Sequence, residues 1–269
     1  MCIIRSHVPE GRVENAAYSS YPYTLEPTLV FLPGLGADHR LFKYQTAAFP
    51  NSYAADWIDP LPNESLEQYA VRFAGAVRAK LEVRPTAPVV VCGLSLGGMA
   101  APYVARELGA SGCVLLASIR KPEEFPRWYY VYWLVARLCP LLLHTWLFIA
   151  RLFIRFFLCF PWLVRCSVEP KIIRSFAETP LFRLAGLARM MFDWAYRRRL
   201  PEEKEAIIFD KPTLHIHGTD DWLLPIRRTN PDIYIKGGGH LLAITHSEEI
   251  NEMITRFVDT VSACGPMSE

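Results

Sequence analysis

The chain has 269 residues, of which 51% are hydrophobic and 21% charged, and its formal net charge is +2. This composition excludes a globally disordered chain and allows a large buried core. A net charge so close to zero gives no support for a nucleic-acid partner, and we expect none. The seven cysteines are scattered and form no CxxC pair. They predict reduced thiols in a cytoplasmic protein, not a disulfide or metal framework.

Short apolar runs predict six strands. Residues 1–27 contain no apolar run of signal-peptide length, and we predict that they form an N-terminal extension outside the fold. After residue 27, the apolar runs have the composition of buried strands. Glycine, proline or polar turn residues separate each run from the next. The predicted strands are Thr28–Leu32, Tyr53–Ile58, Pro88–Cys92, Gly112–Ala117, Pro212–His217 and Asp232–Lys236.

Helical patterns alternate with these strands. Ser65-Leu66-Glu67-Gln68 matches a capping box, and apolar residues at helical spacing follow it, which predicts a helix over Ser65–Glu82. Further helices are predicted at Gly97–Leu108 and Ser247–Val261. Strands that alternate with helices predict an α/β fold with a mostly parallel central sheet and helices on both faces.

A long segment without a strand pattern separates the fourth predicted strand from the fifth. Bulky apolar residues and arginines recur there at helical intervals. We predict an all-helical lid at 121–205, inserted into a core made of 28–120 and 206–269. Within the lid, the longest uncharged run, Leu138–Ala150, is too short to span a bilayer.

The helix expected to begin at Pro140 is apolar around most of its circumference. At 100° per residue, His144, Arg151 and Arg155 form one narrow polar stripe on it. Such a helix must bury its surface against the core, a substrate, a second subunit or a lipid surface, and these options stay open. The run at 197–199, three arginines, is expected to be the solvated end of a lid helix.

The stretch Gly93-Leu94-Ser95-Leu96-Gly97 joins a predicted strand to a predicted helix. A serine on such a sharp turn exposes its hydroxyl, and the glycines two residues before and after it relieve the crowding. A purely structural turn is the alternative. A nucleophilic serine also needs a base that takes its proton and donors that stabilise the oxyanion.

Candidates for the base and its acid follow Ser95 in the order that such an arrangement requires. Asp220 and Asp221 come directly after the fifth predicted strand, and His240 comes after the sixth, behind three glycines. His246 is a weaker candidate for the base because it lacks this glycine approach.

Two further histidines, His215 and His217, alternate with apolar residues along the fifth predicted strand. We expect both to be core residues with satisfied hydrogen bonds. No third metal ligand lies near them in sequence.

Together these features resemble the α/β-hydrolase superfamily over about Thr28–Val261. In that family the acid commonly lies three residues after a glycine and four before a proline, a pattern that Gly218, Asp221 and Pro225 match. The resemblance therefore favours Asp221 over Asp220. It also implies that His240 is the general base and that Asp221 orients it.

The resemblance also implies an oxyanion hole made of two backbone N–H groups. One would belong to Leu96, and the other to Leu35 in the loop after the first strand. Many family members have His-Gly where this chain has Pro33-Gly34, a change compatible with a backbone donor. The supporting glycines are Gly34, Gly93 and Gly97, and Asp38 and His39 are candidate pocket residues.

We expect a serine hydrolase that cleaves a carboxylic ester of a small apolar substrate, without metal or organic cofactor. Thioester, lactone and carbon–carbon hydrolysis and lyase chemistry use the same three residues and stay open. So does a ligand receptor that keeps the triad. Peripheral membrane contact or a homodimer through the lid is the remaining partner hypothesis, for a protein expected in the cytoplasm.

Overall fold

The computed structural model describes residues 27–81, 88–159, 170–196 and 209–263. Its six strands form one sheet in the order β2-β1-β3-β4-β5-β6, and every neighbouring pair is parallel. The predicted α/β fold is therefore confirmed. The strands are β1 (Thr28–Leu32), β2 (Ser52–Ala54), β3 (Val89–Leu94), β4 (Gly112–Leu116), β5 (Thr213–Gly218) and β6 (Ile233–Ile235).

The second strand differs most from its prediction, because it ends at Ala54 instead of Ile58. It lies at the edge of the sheet and pairs only with β1. The N–H of Ala55 still donates to the carbonyl of Phe31 at 2.9 Å, and β1 then ends at Leu32. Beyond this point the apolar sequence has no strand to pair with.

The predicted helices at 65–82, 97–108 and 247–261 are all present. Ser65 and Gln68 form the predicted capping box, with each side chain bonded to the other residue's backbone, and the helix ends at Arg78. Two short helices, Lys43–Ala48 and Leu242–Thr245, were not predicted. The helices are α1 (Lys43–Ala48), α2 (Leu66–Arg78), α3 (Leu96–Leu108), α4 (Tyr129–Leu138), α5 (Pro140–Cys159), α6 (Pro170–Glu178), α7 (Leu181–Tyr196), α8 (Leu242–Thr245) and α9 (Ser247–Ala263).

Alternation along the strands produces two apolar layers. Val30 and Leu32 of β1 face a cluster that includes residues of α2, α3 and α7. Leu29 and Phe31 face the opposite cluster, which includes residues of α8 and α9. The sheet is thus buried on both faces, as its continuous apolar strands require.

The strand order places a switch point between β1 and β3. From β1 the chain moves outward to β2, whereas from β3 it moves toward β4 on the other side. The loops at the carboxyl ends of β1 and β3 therefore diverge, and a crevice opens between them.

Helices α4 to α7 lie between β4 and β5 in the chain, and no described residue of this helical segment is in a strand. Pro140 begins α5, as predicted. Leu143 and Leu147 of α5 pack with Leu184 of α7, and Leu35 from the loop after β1 packs against them. The helical segment therefore rests directly on the crevice.

Parts of the sequence predictions lie outside the described residues, namely the extension before residue 27, the Arg155 side chain and the arginines at 197–199. The division into core and lid stays a prediction. No helix in the described ranges is long and apolar enough to cross a membrane. Among the described thiols, Cys92, Cys113 and Cys139 are free, and burial raises the pKa of the first two.

Candidate active site

Ser95 lies between β3 and α3 in a strained backbone conformation, with φ 56° and ψ −117°. It occupies the position before α3 where serine commonly caps a helix, yet its hydroxyl makes no capping hydrogen bond. Its backbone N–H donates to Leu116 O at 3.0 Å, and Ser118 Oγ donates to Ser95 O at 2.7 Å. The end of β4 thus fixes both backbone groups and stabilises the conformation.

The glycines around Ser95 are required by close backbone contacts. A Cβ on Gly93 would lie 2.2 Å from Gly97 O, and one on Gly97 would lie 2.1 Å from Leu32 O. The same argument applies to Gly98, which the sequence did not single out, because its Cβ would lie 2.4 Å from Ser118 Cβ. Gly34 is less constrained, since a Cβ there would come no closer than 3.4 Å to its neighbours.

The loop after β1 forms a tight turn in which Ala37 N donates to Gly34 O at 3.1 Å. Trp57 Nε1 donates to the same carbonyl at 3.0 Å, and Gly36 at the third position has φ +73°. The turn's hydrogen bond does not use the N–H of Leu35. This loop also touches the helical segment, since a Cβ on Gly36 would lie 2.2 Å from the ring of Phe176 in α6.

Leu96 is the first residue of α3, so its N–H has no acceptor four residues back within the helix. Leu96 and Leu35 thus follow the two strands that flank the crevice. Their role as oxyanion donors stays a proposal.

Asp221 is the most fully bonded side chain of the site, and none of it is exposed. Its Oδ1 accepts from the N–H groups of Leu223 and Leu224, each at 2.9 Å. Its Oδ2 lies 2.8 Å from His240 Nδ1 and 3.4 Å from His217 Nε2. These contacts stabilise the buried carboxylate and hold one imidazole nitrogen of His240.

The competing candidates lie elsewhere. The carboxylate of Asp220 is exposed and accepts from Thr219 Oγ1 at 2.8 Å. His246 Nδ1 contacts the hydroxyl of Thr245 at 2.9 Å. Of the two aspartates and two histidines considered, the geometry pairs Asp221 with His240.

The strand histidines are buried, as predicted, and form a chain of contacts below the site. His217 Nε2 lies 2.7 Å from Leu224 O, so its proton resides on Nε2 and its Nδ1 is an acceptor. His215 Nε2 lies 3.3 Å from that Nδ1 and 3.0 Å from Ser118 O, so it also carries a proton. The expectation that both are fully satisfied is wrong for His215, whose buried Nδ1 has no partner among the described residues.

Burial lowers the pKa of both histidines, and the pKa of His215 falls to about 3. Desolvation of the imidazolium is the main cause for each. Repulsion by His217 and Arg120 lowers the pKa of His215 further. Both rings are therefore neutral at physiological pH.

Ser95 and His240 line one cavity of about 630 Å³ beneath the helical segment. Its wall is mainly aliphatic and aromatic, with a few polar side chains such as Ser175 and Thr245, and no described residue lining it is Asp, Glu, Lys or Arg. A second cleft of about 390 Å³, between residues 60–67 and α7, contains none of Ser95, Asp221 and His240.

Asp38 and His39 are not among the described residues that line this cavity, and their role as pocket residues stays a prediction. Asp38 caps the turn that follows it and accepts from the Arg40 guanidinium at 2.9 Å. His39 Nδ1 lies 2.9 Å from the exposed Asp56. Asp38, His39 and Asp56 could offer metal ligands, but the contacts of Asp38 with Arg40 and of His39 with Asp56 already account for the arrangement.

Besides Gly98, three contributors were missed from sequence. Ser118 holds the Ser95 carbonyl, and His217 contacts Asp221. Trp222 lines the cavity with 76% of its surface exposed. The only sequence signal for Trp222 is a large aromatic residue directly after the acid in a loop.

A family model described as the alpha/beta hydrolase family matches residues 29–253. The chain belongs to this family. The match runs through all six strands and includes the positions of Ser95, Asp221 and His240. No curated protein shows significant sequence similarity to the chain.

Solved structures share the fold at low sequence identity. MenH from S. aureus is 19% identical, with a TM-score of 0.62 over 90% of this chain and 97% of its own. BpoC from Mycobacterium tuberculosis H37Rv, a candidate non-heme bromoperoxidase, is 22% identical, with a TM-score of 0.58 over 95% and 99%. A thermophilic esterase from Thermogutta terrifontis is 20% identical, with a TM-score of 0.55 over 88% and 90%.

The strain at Ser95 predicts an unusual order of stabilities. We expect Ser95→Gly to be more stable than Ser95→Ala by about 1 kcal/mol, because glycine adopts a positive φ without a Cβ penalty. Urea unfolding of both variants measures the difference. At Ser52 in β2, whose φ is not positive, alanine should be the more stable of the same pair. The same order at both positions would argue against strain.

The lowered pKa of His215 predicts acid destabilisation. The unfolded chain takes up a proton on this residue near pH 6.5, whereas the folded chain does so only near pH 3. The contribution of His215 is therefore complete above pH 6.5 and falls by about 1.4 kcal/mol per pH unit below it.

Denaturant unfolding of wild type and His215→Gln between pH 7.5 and 4.5 tests this. The free energy of unfolding of the variant should depend less steeply on pH than that of wild type, because the variant lacks the proton that His215 takes up on unfolding. Ile216→Val, at the next position of β5, is the control and should lower stability equally at every pH. Equal slopes for His215→Gln and wild type would contradict the assignment.

Proposed function

We propose that the protein is a serine hydrolase that cleaves a carboxylic ester of a small apolar substrate through Ser95, His240 and Asp221. The observation that carries this proposal is the contact of 2.8 Å between His240 Nδ1 and the buried Asp221 carboxylate, beside the cavity that Ser95 also lines. Membership of the hydrolase family supports the reaction class. Because the sequence identity to the solved structures is low, the proposed specificity for esters rests on the residues of the site.

The contact with Asp221 supports different roles for the two imidazole nitrogens of His240. Because Nδ1 of His240 faces the carboxylate, Nε2 is the nitrogen that exchanges protons with Ser95. Ser95 Oγ forms a bond to the substrate carbonyl carbon as its proton passes to Nε2, and the carbonyl π electrons move to the oxygen. The N–H groups of Leu35 and Leu96 stabilise that oxyanion.

The tetrahedral intermediate then collapses, and the carbon–oxygen bond to the alcohol breaks. The alcohol takes the proton from His240 and leaves an acyl group on Ser95. Water next attacks this acyl group and gives a proton to His240. The acid departs as Ser95 recovers its proton, while Asp221 stays ionised throughout.

The cavity favours an uncharged and apolar acyl or alcohol group. Aliphatic and aromatic side chains such as Met99, Leu143 and Phe192 form its wall. A charged substrate group would lose hydration there without gaining an ion pair from the described lining.

We also propose that the protein belongs to a reducing, cytoplasmic compartment, because its described thiols are free.

Other reactions of the same three residues, on thioesters, lactones or carbon–carbon bonds, remain alternatives, as does a receptor that binds without turnover. A fluorophosphonate probe separates the enzyme from the receptor. We expect one adduct, located at Ser95 by mass spectrometry and absent from Ser95→Ala. p-Nitrophenyl esters of increasing acyl length then measure turnover. Labelling at a residue other than Ser95 would contradict the proposal. So would the absence of Ser95-dependent turnover at every acyl length.

Asp221 and its neighbour provide a matched pair of variants. Asp221→Asn should lower kcat by about 10³- to 10⁴-fold, because an amide stabilises neither the required tautomer of His240 nor its imidazolium. Asp220→Asn should leave kcat nearly unchanged, since its exposed carboxylate accepts from the Thr219 hydroxyl and does not contact His240 in the structure as described. Steady-state kinetics on one ester measures both. A large loss in Asp220→Asn and a small one in Asp221→Asn would reverse the assignment.

A further inference from the structure

The exposed apolar surface of the described chain is concentrated on two helices. Twelve of its nineteen exposed large apolar side chains belong to α4 and α5. We call these exposed side chains the α4–α5 face. Leu141, for example, is 73% exposed and Leu138 is 75% exposed. A monomeric protein in water rarely presents so extended an apolar surface, so something is expected to cover it.

The face is continuous and reaches the mouth of the cavity. The ring of Tyr132 on α4 lies 5.5 Å from that of Trp146 on α5, which joins the two helices. Trp146 lines the cavity while half of its surface is exposed, and Trp222 lines it from the loop after β5. The two tryptophans therefore form part of the rim between the cavity and the outer surface.

The charges of this region identify the occupant. Residues 125–159 contain four arginines and no aspartate or glutamate. One of these arginines, Arg151, is engaged within the protein, since its guanidinium donates to Ala177 O at 2.6 Å. Arg127 is exposed before α4, and Arg137 is exposed near its end, where Asp193 lies 3.8 Å away. Arginines beside Trp, Tyr and Leu suit the surface of a bilayer with anionic headgroups. In a symmetric dimer of this face, the same basic stretch would meet itself without an acidic counterpart within the stretch.

We propose that the α4–α5 face and Trp222 dock the protein on an anionic lipid surface, with the mouth of the cavity toward the bilayer. The apolar side chains enter the interface, and the exposed Arg127 and Arg137 meet the headgroups. This step goes beyond the proposed function and requires no catalysis.

One consequence does rest on the proposed function. A mouth turned to the bilayer would receive an acyl chain directly from it, so the apolar group never crosses water. The substrate class would then be an ester that resides in the membrane.

Vesicle flotation tests the docking with the full chain carrying Ser95→Ala, so that turnover plays no part. We expect the protein to float with phosphatidylcholine vesicles that contain phosphatidylserine, and less with phosphatidylcholine alone or at high salt. Leu141→Glu/Phe148→Glu should weaken partitioning by about tenfold or more, because it places two acids on the face. Leu61→Glu/Tyr234→Glu, exposed positions outside the two helices, is the matched control and should float as the parent does.

A second measurement does not depend on the folding of these variants. Brominated lipids should quench the tryptophan fluorescence of the wild-type chain, and Trp146→Phe/Trp222→Phe should reduce the quenched fraction. Absence of vesicle binding, or equal binding by both glutamate variants, overturns the proposal. So does a dimer in sedimentation experiments that Leu141→Glu/Phe148→Glu dissociates, since a second copy would then cover the face. Vesicle binding without ester hydrolysis would count only against the proposed function.

Discussion

Backbone atoms pack very closely where α3 leaves the sheet. The start of the helix comes so near to β1 and β3 that Gly93 and Gly97 have no room for a Cβ. Ser95 between them has a positive φ, a conformation that costs about 1–3 kcal/mol and persists only where its surroundings enforce it. The end of β4 enforces it through Leu116 and Ser118. The crevice, the N–H group at the start of α3 and the position of Ser95 in the cavity wall all depend on this packing.

A second constraint is the burial of charge next to an apolar cavity. A carboxylate without exposure is stable only if its oxygens are bonded, and Asp221 obtains two backbone N–H groups and two imidazoles. The neutral histidines of β5 satisfy one another in part and add no positive charge of their own. Their cost is the buried Nδ1 of His215, which has no hydrogen-bond partner in the part of the chain that the structure describes. The site combines a firmly held acid with a wall suited to uncharged ligands.

Local sequence signals sufficed for the features that local chemistry decides. The capping box at Ser65, the glycines around Ser95 and the apolar strands each predict their own structure, and the structure confirms them. The length of β2 could not be read this way, because it depends on where its partner β1 ends. The partners of Asp38 and His39 could not be read from sequence for a similar reason: proximity to the loop after β1 did not reveal that Arg40 and Asp56 would contact them. The place of Trp222 in the cavity wall could not be predicted, because segments distant in sequence form this cavity.

The contact between Gly36 and Phe176 links two parts of the chain that are far apart in sequence. Any Cβ at position 36 would overlap the phenylalanine ring, and the positive φ there penalises other residues as well. A smaller side chain at 176 could remove the overlap but not the backbone penalty. Divergence of this chain is therefore asymmetric: the helical segment can change at 176 while the turn keeps its glycine, but the turn cannot change first. A helical segment transferred from a related chain would therefore have to fit against the turn that contains Gly36.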